Sequence, residues 1–88
     1  MSTLPYPAVE QLVTGIAVAN GDVSVLTGNV LVSRKRSVAI EFDVAHLDDP
    51  LARGHVITLM YSSDQLILRL RTQIEEALGD GRFILKPM

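Results

Sequence analysis

A chain of 88 residues with 48% hydrophobic and 20% charged side chains can bury one core but not two, and it is too apolar to remain unfolded. Eight Lys and Arg against ten Asp and Glu leave a net charge of -2, so no global field draws it to nucleic acid or to anionic membranes. With no cysteine, a disulfide framework, a thiolate metal site and a Cys nucleophile are all excluded.

The opening residues Met1 to Ala8 carry neither the basic lead nor the apolar run of a signal peptide, and no segment reaches the roughly 20 apolar residues of a membrane span. A single domain over residues 1–88 is expected, cytoplasmic and without a membrane partner. Residues 1–6 read as a tail, because Pro5 and Pro7 hold the path extended.

Two readings compete for the next stretch. Val9, Leu12, Val13 and Ile16 make one helical stripe, with Gly15 as its cap, and so admit a short N-terminal helix. Leu12, Thr14, Ile16 and Val18 alternate instead as a strand. Asn20-Gly21 is the strongest local signal, since both residues tolerate the positive φ of a two-residue hairpin turn. Counting outward from it sets Ala19 opposite Asp22, Val18 opposite Val23 and Ile16 opposite Val25, with the four apolar residues on one face. Val30 and Val32 then change parity relative to Val23 and Val25, which predicts a bulge at Gly28 or Asn29.

Past the polar turn Ser33 to Ser37, a third strand alternates as Val38, Ile40, Phe42 and Val44 against Ala39, Glu41 and Asp43. His46 to Gly54 is a connecting loop in which a helical turn can begin at Pro50. His55 to Tyr61 is a fourth strand, apolar on both faces. Ser62 with Gln65 then matches a capping box, and Leu66, Ile67, Leu70, Ile74, Ala77 and Leu78 fall within an arc of about 120° on a helical wheel. A core-facing helix ending near Gly79 is expected, then a short strand from Arg82 to Lys86 stopped by Pro87. No internal repeat is visible. The expected fold is α+β: an antiparallel four- to five-stranded meander sheet packed on one amphipathic C-terminal helix.

Chemistry finds little purchase. His46, Asp48, Asp49 and His55 are the one cluster with metal-ligand chemistry, and their spacing matches no helical ligand pair, so loop solvation explains them and no cofactor is expected. No nucleophile elbow or phosphate loop occurs, and the carboxylates lie on presumed solvent faces, which speaks against an enzyme. Arg34, Lys35 and Arg36 at a hairpin tip are candidate phosphate-binding residues for a nucleic-acid-associated accessory role. Against that role stand the negative net charge and the acids interleaved with Arg69 and Arg71.

If the helix covers the Val18, Val25, Ile40 and Phe42 face, then Leu26, Ile57, Leu59 and Tyr61 lie on the opposite face, and Leu68 points away from the helix's core stripe. Contiguous exposed apolar surface marks interfaces. The expectation is a non-enzymatic protein-interaction module, self-associating as a homodimer through a sheet face or edge.

Overall fold

A computed structural model describes residues 6–19, 21–47 and 50–88. Six antiparallel strands close into a barrel: β1 (Leu12–Ala19), β2 (Asp22–Arg34), β3 (Ser37–Phe42), β4 (Val56–Ser63), β5 (Leu66–Gly79) and β6 (Arg82–Pro87). Their order around the ring is β1-β2-β3-β6-β5-β4, with β4 returning to β1. The architecture is all-β rather than α+β, and no helix occurs among the described residues.

The expected C-terminal helix is β5. From Leu68 to Ile74 its sequence alternates Leu68, Leu70, Thr72 and Ile74 inward with Arg69, Arg71 and Gln73 outward, the period of a strand. Extra residues between Ile74 and Glu76 and between Ala77 and Gly79 then bulge the strand and shift its parity. The combined spacing imitates a helical stripe. Ser62 and Gln65 do not cap a helix either. Asp64 and Gln65 both take positive φ, 48° and 69°, and turn β4 directly into β5. The short N-terminal helix is likewise absent: Ala8 to Gln11 form a turn leading into β1, with Glu10 at a φ of 67°. Of the tail expected over residues 1–6, all but Tyr6 lies outside the described residues.

The first hairpin has the expected register, Ala19 to Asp22, Val18 to Val23 and Ile16 to Val25; Asn20 itself lies outside the described residues. Its faces are inverted. Val13, Gly15 and Ala17 point inward with Leu26, Gly28 and Val30, while Val18, Val23 and Val25 face solvent. No bulge is needed at Gly28. The extra residue is Leu31, between Val30 and Val32. The cause is Phe42, whose ring lies where a Cβ on Gly15 or Gly28 would stand, at 2.8 and 2.6 Å. Two inward glycines make room for one large ring, and a count of valines does not reveal that.

The barrel is two copies of one three-stranded unit. Val56 and Leu66, which open β4 and β5, each stand 44 positions after their counterparts Leu12 and Asp22. The bulge after Ile74 repeats the one after Val30 at the same offset. The entries to the two units match atom for atom. The Glu10 amide donates to the Val30 carbonyl and the Val30 amide to Gln11, as the Gly54 amide donates to Ile74 and the Ile74 amide to His55. The Ala8 amide donates to the Gln11 side chain, as the Ala52 amide donates to the His55 ring. Both seams are antiparallel, β1 against β4 and β3 against β6, so a pseudo-twofold axis relates the units.

The interior joins Val13, Leu26, Val30, Val38, Ile40, Phe42, Ile57, Leu59, Tyr61, Ile74, Phe83 and Leu85 in one cluster. Closure hides most strand edges. What remains open are two arms. β2 pairs with β3 only from Gly28 onward, and β5 pairs with β6 only from Thr72 onward, so each begins as half of a two-stranded ribbon. Because neighbours run antiparallel, the β1–β2 arm and the β5–β6 turn share one end, and the β4–β5 arm and the β2–β3 turn share the other.

Candidate interaction surfaces

Leu26, Ile57 and Leu59 are 0% exposed and Tyr61 is 4% exposed, so all four lie inside the barrel and offer nothing to a partner. Leu68 is half-buried and packs against the same core. The two-sided apolar character of β4 has a simple source: Ile57, Leu59 and Tyr61 face the barrel interior, while Val56, Thr58 and Met60 are half-covered on the outside.

Exposed apolar side chains occur at several places, Leu66 and Ile67 on the β4–β5 arm among them, and a cluster of valines lies on the β1–β2 arm. Val18, Val23 and Val25 are 58%, 64% and 58% exposed, and the register makes Val18–Val23 and Ile16–Val25 adjacent cross-strand pairs on one outer face. The arm also has an edge. On the side away from β1 the Val25 carbonyl takes a hydrogen bond from His46 Nε2 at 3.0 Å, and the Thr27 carbonyl takes one from the Asp43 amide at 2.9 Å. Val23, nearer the tip, has no strand beside it there among the described residues. The useful sequence signal was the inward pair Gly15 and Gly28: small residues facing in turn the neighbouring valines out.

Arg34, Lys35 and Arg36 sit exposed at the β2–β3 turn. Arg69 and Arg71, discounted as parts of a mixed helix, instead project outward from β5. Lys86 projects from β6, with Gln73 as its partner on β5. The acids that seemed interleaved with them, Glu75 and Glu76, stand at the bulge and just past it, toward the opposite end.

The histidines do separate jobs. His46 Nε2 holds the Val25 carbonyl, while His55 Nδ1 accepts the Ala52 amide. Asp48 and Asp49 lie outside the described residues. No group of three metal-ligating side chains forms among the described residues. Beneath the loop between β3 and β4 lies a cleft of about 530 Å³, walled by Val44, Leu47, Leu51, Ala77 and Phe83, with Asp80 at its rim. Among its described lining residues Asp80 is the one ionisable group, which gives no acid–base pair. The Tyr61 phenol is raised above its ordinary range, mainly by burial and secondly by the nearby Tyr6.

No protein-family model matches this chain, and no curated protein or solved structure matches it.

Proposed function

We propose that this chain is a small, non-enzymatic protein-interaction module that associates with a second copy of itself through the β1–β2 arm. The observation that carries the reading is the block of exposed Val18, Val23 and Val25 with half-buried Ile16, set in two cross-strand pairs on a ribbon that projects from the barrel. Leaving such a block in water costs stability that an interface recovers. A second copy suits it because a twofold contact sets each valine pair against its own equivalent, with no charged side chain in the block. The neighbouring edge adds unpaired backbone groups, and the run Val23-Ser-Val-Leu26 lacks the Lys or Pro that commonly guards an edge.

The other arm serves as an internal control. At the corresponding outer positions it carries Met60, Ser62, Ile67 and Arg69, a mixed surface with a polar or charged member in each cross-strand pair. Sedimentation velocity across micromolar to millimolar protein is the test. Wild type should show a concentration-dependent dimer, Val23→Lys combined with Val25→Lys should remove it, and Ile67→Lys should not. A wild-type monomer throughout that range overturns the reading.

A further inference from the structure

We propose that the face formed by the β2–β3 turn and the outer sides of β5 and β6 binds the phosphate backbone of duplex nucleic acid, independently of base sequence. The proposal goes beyond self-association and uses none of the arm's residues.

Six of the chain's eight Lys and Arg stand on this face: Arg34, Lys35, Arg36, Arg69, Arg71 and Lys86. The registers bring them together. Arg34 pairs with Ser37, Val38 pairs with Leu85 so that Ser37 flanks Lys86, and Lys86 pairs with Gln73. Arg71 and Arg69 follow Gln73 on the same side of β5. At about 4.8 Å between strands and about 6.6 Å between same-face residues, the six cations span roughly 14 by 13 Å measured along the wall, which curves across four of the barrel's six strands. All six are exposed. Among the described residues the one ion pair, 3.3 Å long, joins Arg82 to Glu41 elsewhere, so none of the six is tied up in an ion pair, and the acid at this end is Asp64, at the tip of the β4–β5 arm.

Crowding like charges does not stabilise a fold; on adjacent strands it costs free energy. A chain of net charge -2 that nonetheless sets six of its cations around one end of the barrel is arranged for an external anion. The anion must also be extended, because the charges are spread along strands and do not converge on one point. Aromatic rings decide how it is read. Phe42, Tyr61 and Phe83 are buried and Tyr6 is half-buried, so the face has no platform on which unpaired bases can stack. Contacts to phosphates remain, and the duplex, with the higher charge density, is the better ligand.

The probe is a short, fluorescently labelled DNA duplex of mixed sequence, titrated by anisotropy at roughly 50 to 200 mM salt. Binding should weaken steeply with salt, with a log–log slope as large as about -5 if all six cations meet phosphates. Arg69→Ala with Arg71→Ala should reduce that slope by about 2. Arg53→Ala, on the opposite end, should leave it unchanged, and so should the valine variants of the arm. Thermal melts should confirm that each exposed substitution leaves the fold intact.

No binding at low salt overturns the proposal, as does an equal loss from Arg53→Ala. Two further outcomes would also sink it. One is binding to vesicles of anionic lipid without binding to the duplex. The other is salt-sensitive self-association without duplex binding, which would assign the face to the acidic end of a second copy, where Glu75, Glu76 and Asp80 lie.

Discussion

The two halves of the barrel trace one backbone path and fill it with different side chains. In the first, the inward positions are Val13, Gly15, Ala17, Leu26 and Gly28; in the second, the same positions hold Ile57, Leu59, Tyr61, Leu70 and Thr72. Four of the five are larger in the second half. The volume is restored by the last inward residue of the first, where Phe42 stands at the place of Pro87 and lies over both glycines. Gly15 and Leu59 are even direct partners across the β1–β4 seam. Packing density is therefore conserved across the axis and not within each half, and neither half can be understood alone.

Substitutions at equivalent positions sharpen this comparison, and the largest effect is expected at Leu59. Leu59→Ala removes a side chain with 0% exposure from the seam, and urea denaturation should show a loss of about 2–5 kcal/mol. On the glycine side the opposite fault applies. Gly15→Ala and Gly28→Ala should each cost about 1–3 kcal/mol by overpacking. The two should differ in rescue. The atoms nearest a Cβ at Gly15 are side chains, the Phe42 ring at 2.8 Å and Ile57 at 3.2 Å. One at Gly28 also meets the Glu41 carbonyl oxygen at 2.7 Å. Phe42→Leu should thus recover stability lost in Gly15→Ala and recover much less in Gly28→Ala. Equal rescue at both sites would break the account of how the halves share volume.

A smaller effect tests the polar side of the same exchange. Thr72 occupies the place of Gly28, is fully buried, and donates its hydroxyl to the Ile57 carbonyl at 2.6 Å. Thr72→Val keeps the volume and removes the hydrogen bond, so a loss of about 1 kcal/mol is expected by chemical denaturation. A neutral result would mean that the hydroxyl only fills space.

The parts of this fold legible in sequence are those fixed by local chemistry. Asn20-Gly21 set the first register, Val38 to Phe42 declared their inward face by strict alternation, and the loop before β4 was marked by its aspartates and Pro50. What failed depended on distant partners. Asp64 and Gln65 adopt positive φ, which Asp tolerates and Gln does not favour, because the β4–β5 pairing holds them there. Bulges after Ile74 and Ala77 break the alternation of β5 where Glu75, Glu76, Ala77 and Leu78 favour a helix locally. The repeat stayed hidden because only hydrogen bonds and bulges recur; Ala8 and Ala52, Thr14 and Thr58, Leu26 and Leu70 are too few identities to see. The basic turn Arg34 to Arg36 was legible as a charge run by itself. Its extension through Arg69, Arg71 and Lys86 required β5 to be a strand and β6 to lie between it and β3.

The smallest effect concerns Tyr61, which faces inward at the position equivalent to Ala17. Burial, and secondly Tyr6, raise its phenol above the usual range, so the folded chain holds that proton after the unfolded chain has released it. From about pH 10 upward the unfolded state binds fewer protons than the folded state, and stability must fall as pH rises through the raised pKa. Below that window the group is neutral in both states and contributes no slope. Denaturation midpoints measured from roughly pH 9 to pH 11 should decline in wild type and decline less in Tyr61→Phe. An identical decline in the variant would assign the alkaline loss to other groups. It would also leave the exchange of the Ala17 methyl group for the Tyr61 phenol without a signature in the pH dependence.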